Sequence, residues 1–137
     1  MGRLIIVDAS AGVEIILLGE RAGVVHGLVE DNRPAFVPAH FDAEAWSAVA
    51  RIVRRRIIEQ AAARALALDL AGFPASRVPL TRLLPAVASW LPILSGSDSF
   101  YAALASGTGA PLLTCDLGLA RALDGRLEVL YVAPTVY

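Results

Sequence analysis

Leu4-Ile5-Ile6-Val7-Asp8-Ala9-Ser10 is the most informative stretch of this chain. Four apolar, mostly β-branched residues run straight into a carboxylate and a hydroxyl. A short unbroken apolar run of this kind fits a strand buried on both faces, as in a parallel sheet. Asp8 then falls at the carboxyl end of that strand, the edge at which open α/β sheets bind ligands. Ser10 is placed to cap the helix that follows. Taken alone, Asp8 reads equally well as a turn residue. A second copy of the pattern near the other end, Leu112-Leu113-Thr114-Cys115-Asp116, shifts the balance toward a site.

Working outward, residues 3–7 form a first strand and residues 10–18 a short helix, interrupted at Gly19 before a second helix to Val29. Asp31-Asn32-Arg33-Pro34 is a turn signal, and Ala35-Phe36-Val37 a short second strand stopped by Pro38. The longest helix runs from about His40 to Arg56, with Phe41, Ala45, Val49, Ile52 and Val53 as its buried stripe. A helix over 59–71 is stopped by Gly72 and Pro74. Arg77-Val78-Pro79-Leu80 reads as a third strand, confined to an edge by its proline. Thr81 is placed to cap a helix over 82–90, Ser95-Gly96-Ser97 reads as a loop, and a helix spans 98–106. Residues 111–114 form a fourth strand, 117–123 a short helix and 127–132 a fifth strand. Strands alternating with helices predict a single domain over 1–137. Its class is α/β, a three-layer sandwich around a mostly parallel sheet of about five strands.

The composition, 56% hydrophobic over 137 residues, excludes a disordered chain and allows a sizeable core without staples. Cys115 is the only cysteine, so no internal disulfide forms, and a buried packing role is expected for it. One cysteine and two isolated histidines, His26 and His40, do not make a zinc site. The net charge of −1 gives no overall attraction to a polyanion, so any such binding rests on a local patch. The most apolar window, 86–94, is too short to cross a membrane and contains Pro92. With no signal-peptide pattern, a cytoplasmic location is expected.

Four carboxylates stand out: Asp8, Glu44, Asp98 and Asp116. Asp8 and Asp116 each follow a buried strand, while Glu44 and Asp98 each sit in the first turn of a helix. If the first and fourth strands are neighbours at the switch point of the sheet, all four acids open onto one rim. Converging carboxylates repel, so they require a cation or raised pKa values. Their oxygens suit Mg²⁺ or Mn²⁺ and hence metal-assisted phosphoryl chemistry. No nucleophile triad, P-loop or GxGxxG motif competes. Capping alone can also place acids at helix starts, and an ion pair of Glu44 with Arg51 or Arg55 accounts for that residue locally.

Four segments in order resemble the PIN-domain family, and within it the VapC-type toxins of toxin–antitoxin pairs. The opening strand with Asp8 and Ser10 is similar to that family's first acidic strand. Val37-Pro38-Ala39-His40-Phe41-Asp42-Ala43-Glu44 resembles its short strand, proline and helix-borne Glu. Asp98-Ser99-Phe100-Tyr101-Ala102-Ala103-Leu104-Ala105 resembles the helix of the third acid, and 112–120 the final strand with Thr114 and Asp116. The resemblance implies that Asp8, Glu44, Asp98 and Asp116 are catalytic and ligate Mg²⁺ or Mn²⁺, with Ser10 and Thr114 supporting them. It also implies a metal-dependent endoribonuclease acting on RNA, a cognate antitoxin partner and a toxin homodimer.

Arg51, Arg54, Arg55 and Arg56 form the one dense basic cluster. Arg51 and Arg55 share the Glu44 side of the helix and are candidates for contacting RNA phosphate, although a solvated basic face explains them too. Tyr101 and Trp46 are candidates for stacking bases or for packing. Ile15, Ile16, Leu17 and Leu18 exceed one buried stripe, which predicts a dimer or antitoxin surface there. The alternative function is a non-catalytic PIN-like α/β module that binds protein or metal. The absence of lysine counts against a receiver-type phosphoacceptor, and the Asp-x-Asp motif of one large phosphatase class is absent, since Ala9-Ser10 follows Asp8.

Overall fold

The computed structural model describes residues 4–135. Five parallel strands form one sheet: β1 (Ile5–Val7), β2 (Ala35–Pro38), β3 (Ala75–Val78), β4 (Leu112–Thr114) and β5 (Val129–Tyr131), in the spatial order β3-β2-β1-β4-β5. Among the described residues, seven helices connect them: α1 (Ala9–Ile16), α2 (Ala22–Asp31), α3 (Phe41–Arg54), α4 (Ala63–Ala71), α5 (Leu80–Val87), α6 (Gly96–Thr108) and α7 (Leu117–Leu123). The chain winds outward from β1 to β3, then returns to the other side of β1 to lay down β4 and β5. The switch point therefore lies between β1 and β4, the two strands that end in the paired Asp motifs.

The alternation within β1 builds two cores. Ile5 and Val7 face one layer with Val25, Val29, Phe41, Ala45, Leu70 and Phe73, contributed largely by α1 to α4. Ile6 faces the other with Leu83, Tyr101, Leu104, Leu119 and Leu123, contributed by α5 to α7. All three β1 residues are wholly buried, as an unbroken apolar run requires.

Two contacts fix the helices that carry the site. Gly12 lets α1 approach α3 closely: a Cβ there would lie 2.5 Å from Phe41 Cζ. Arg77 reaches from the edge strand β3 to Asp42, in the first turn of α3, with bonds of 2.9 and 3.1 Å. The same guanidinium donates to the carbonyls of Leu70, Phe73 and Ala75, so β3, α4 and the start of α3 share one anchor.

Several local expectations are corrected. Ser10 does not cap α1: the helix starts at Ala9, Asp8 holds the cap position, and the Ser10 hydroxyl is turned back to the Asp8 carboxylate. β3 begins at Ala75 and ends before Pro79, which occupies the cap position of α5, so Thr81 lies inside that helix. α5 stops at Val87, and 88–90 continue as a 3-10 turn. Residues 95–97 are not a loop: Ser95 caps α6 by accepting from the Asp98 amide at 3.1 Å, and Gly96 and Ser97 are helical. Gly109, at φ 66°, closes that helix in the left-handed conformation that glycine permits.

Candidate active site

Asp8 leaves the end of β1 and is 6% exposed. Two hydroxyls hold its Oδ2: Ser10 Oγ donates at 2.6 Å and Thr114 Oγ1 at 2.8 Å. Both hydroxyls also accept, Ser10 from the Cys115 amide at 3.0 Å and Thr114 from the Asp116 amide at 3.0 Å. Each hydroxyl has one proton, and Asp8 takes both. The pair therefore stitches the end of β1 to the end of β4 and leaves Asp8 Oδ1 outside the network. Asp116, at the cap position of α7, accepts from the Leu119 amide through Oδ1.

Glu44 approaches from α3 and Asp98 from α6. The Tyr101 hydroxyl donates to Glu44 Oε1 at 2.7 Å, and the Ser97 hydroxyl donates to Oε2. His40 lies beside both, its Nε2 2.9 Å from the Ser97 carbonyl and 3.5 Å from Glu44 Oε1. The His40 ring rests on Phe100 and Tyr101 at centroid distances of 5.1 and 5.0 Å. The starts of α3 and α6 are thus tied together, which sets Asp98 opposite Glu44.

Asp8, Glu44, Asp98 and Asp116 line one cavity of about 380 Å³, together with Ser10, Glu14 and Arg21. The acids sense one another. Burial, opposed by the two hydroxyl bonds, pushes the Asp8 carboxyl up, and Asp98 and Glu44 push it further. Burial also raises Asp98, with Glu44 and Asp116 adding to the shift while the Ser95 bond and His40 oppose it. The Tyr101 hydroxyl is raised far above its ordinary value by burial and then by Asp8 and Glu44, so it remains a donor.

Every acid singled out in the sequence lines the cavity, and Ser10 and Thr114 bind one of them directly. Arg51 and Arg55 do not line it. Both are exposed, and at about 1.5 Å rise per residue they lie roughly 10 and 16 Å further along the α3 axis than Glu44. Tyr101 is wholly buried and spent on Glu44, which removes it as a base-stacking residue. Its signal was its position, one turn after Asp98 on the same helix face. His40 and Arg21 carry no such local signal, because their contacts to Ser97, Cys115 and Val132 reach across the fold, and Glu14 pairs with Arg21 as an ordinary short-range ion pair.

The donor set fits a hard divalent cation: four carboxylates beside the Arg21-paired Glu14, with hydroxyl neighbours, no sulfur or imidazole among the described lining residues, and space for water. The carboxylates line the cavity without closing on one point. Among the described residues, no three Asp, Glu, His or Cys side chains form a group that could hold an ion as they lie.

A parallel sheet with an acidic crevice at its switch point defines a doubly wound α/β protein, a class in which ligands bind at the carboxyl edge. The PIN domain family model matches residues 5–124, and the chain belongs to that family. It is 31% identical over 130 residues to ribonuclease VapC12 of Mycobacterium tuberculosis, covering 95% of this chain and 100% of the relative. In fold it resembles M. tuberculosis VapC20, solved as a sarcin-ricin loop cleaving toxin, with TM-score 0.63, 21% identity, and coverage of 86% and 94% of the two chains. It also resembles VapBC2 of Rickettsia felis, solved bound to a promoter DNA fragment, with TM-score 0.66, 13% identity, and coverage of 94% and 98%.

Proposed function

We propose that this PIN-domain chain is a metal-dependent endoribonuclease and the toxin of a toxin–antitoxin pair. The observation that carries the reading is the convergence of Asp8, Glu44, Asp98 and Asp116, from four separate elements, on one cavity at the switch point. The whole-length similarity to ribonuclease VapC12 supports RNA as the substrate class. A toxin–antitoxin complex of Klebsiella pneumoniae with a similar fold supports a protein antitoxin as partner. An apolar groove lined by Ile15, Ile16, Leu18, Leu68, Phe73 and Pro74 suits that partner or a second toxin subunit. Leu18 is 84% exposed there.

Asp8, Glu44, Asp98 and Asp116 are the residues that would hold Mg²⁺ or Mn²⁺. When bound, such an ion polarises the phosphodiester and makes water a nucleophile at neutral pH. Ser10 and Thr114 keep the Asp8 carboxylate aimed by holding Oδ2. Tyr101 and Ser97 orient Glu44, and the Leu119 amide orients Asp116. These contacts preorganise the acids, which matters because small misplacements of reacting groups are costly.

The test is cleavage of a structured RNA pool in Mg²⁺ or Mn²⁺ against EDTA, with Asp8→Asn and Asp98→Asn beside the wild type. Metal-dependent cleavage lost in both variants is expected. Metal binding by calorimetry without cleavage of any RNA would replace this reading with the binding-module one.

A further inference from the structure

The acidic cavity has one cationic side chain among its described lining residues, Arg21. It stands at the cap position of α2, and its side chain is 21% exposed. Three contacts fix its guanidinium. Nε donates to Glu14 Oε1 at 3.0 Å, which also accepts from the Arg21 amide at 3.2 Å. Nη1 points to the carbonyls of Val132 at 3.2 Å and Cys115 at 3.4 Å, just beyond the ends of β5 and β4. Nη2 takes no bond among the described residues. The fork is therefore anchored on two of its nitrogens, with the third unpaired, on a residue that lines the same cavity as Asp8 and Asp116.

A guanidinium held in this way is suited to an anionic oxygen. An RNA chain entering a cavity lined by five carboxylates, one of them paired with Arg21, brings its own negative charge toward them. We propose that Arg21 is the phosphate-binding residue of the site, its Nη2 donating to a non-bridging oxygen of the RNA backbone next to the bond that is cut. This rests on the ribonuclease reading and adds to it how the substrate is seated. Glu14 positions Arg21 rather than serving as a fifth ligand, because its Oε1 is committed to the Arg21 amide and Nε.

The test measures binding of a fluorescent oligoribonucleotide in Mg²⁺, in an Asp116→Asn background. Asn retains the oxygen that accepts from Leu119 and so the cap. Arg21→Gln is expected to weaken binding about tenfold and to flatten the log–log salt dependence by about 0.7, the share of one contact to a single strand. Arg21→Lys, which keeps the charge, restores the salt slope. A methylphosphonate replacing one linkage costs affinity in the parent and nothing further in Arg21→Gln, a coupling that a purely structural role does not produce. Thermal unfolding checks each variant, and if Arg21→Gln does not fold, Arg21→Lys carries the same coupling measurement with a reduced methylphosphonate penalty. If the wild type cleaves RNA but these variants keep the parent's affinity, slope and methylphosphonate penalties, the inference falls and the ribonuclease reading stands. If the wild type neither binds nor cleaves RNA, both fall.

Discussion

Replacing Thr114 by Val tests how the site is held together. Val keeps the β-branched shape and removes only the hydroxyl, at a position that is wholly buried. That hydroxyl donates to Asp8 Oδ2 at 2.8 Å and accepts from the Asp116 amide at 3.0 Å. A hydrogen bond to a charged group contributes about 1.5–3 kcal/mol, and an amide left without an acceptor costs about 1–3 kcal/mol. Asp116 is exposed, so water takes over part of the second loss. The expected cost is about 2.5–4 kcal/mol, or a Tm lower by roughly 10–15 °C for a chain of this size. The Thr114 bond also pulls the Asp8 pKa down, against burial. Without it that pKa rises further, and the acid limb of RNA cleavage moves to higher pH. Thermal unfolding at pH 5 and pH 8 should show the larger loss at pH 8, where Asp8 must carry its charge. Thr114→Ser restores the acid limb and most of the stability. A Thr114→Val protein with wild-type Tm at pH 8 and an unmoved acid limb would refute the assignment of that hydroxyl to Asp8.

Asp8 and Asp98 both have pKa values raised above the ordinary 3.8. The folded chain therefore holds more protons than the unfolded one above that value, and stability falls as pH rises through the raised values. Without divalent cations, Tm should be higher at pH 5 than at pH 8. Asp8→Asn should flatten that slope and raise Tm at pH 8 while abolishing cleavage, and calorimetry of both proteins across pH checks it. Tyr101→Phe removes the 2.7 Å bond to Glu44. The Glu44 side chain is 31% exposed and recovers water, so the loss is about 1 kcal/mol and roughly 4 °C in Tm, with kcat falling more than KM rises. Gly12→Ala gains about 1 kcal/mol of helix propensity but drives a methyl into Phe41, which is wholly buried and packed on Phe73. Overpacking of about 3 kcal/mol outweighs the gain, and a Tm lower by roughly 5–8 °C is expected on thermal melting.

The sheet and the four acids were legible because each rests on a short local pattern. An apolar run ending in Asp, repeated near both ends of the chain, marks two neighbouring parallel strands, and β1 and β4 are hydrogen-bonded neighbours. The start of α6 was equally readable and was missed. Ser95 followed three residues later by Asp98 is a capping pattern, and the Ser-Gly-Ser composition obscured it. Ser10 was misassigned for a different reason. A hydroxyl two residues after Asp8 can serve a helix amide or the carboxylate, and burial decides. At 6% exposure the Asp8 charge has few donors within reach, so both neighbouring hydroxyls turn to it.

The same reasoning explains why His40 and Arg21 could not be read from the chain. Beside the short-range pairs of Arg21 with Glu14 and His40 with Glu44, which do not by themselves mark a site, their partners lie 57, 94 and 111 residues away, and nothing in the local pattern favours those pairings. Such contacts exist only once the switch point has brought the ends of β1, β4 and β5 and the starts of α3 and α6 to one edge. They are also what the acids require. Four carboxylates gathered on one rim repel, and two of them are pushed toward protonation. The hydroxyls at Asp8 and the Tyr101 and Ser97 donors at Glu44 oppose that repulsion without neutralising the site. A core built for stability alone would place apolar side chains at these positions. The retained, mutually destabilising charge is therefore the strongest physical argument that this edge is the working part of the molecule.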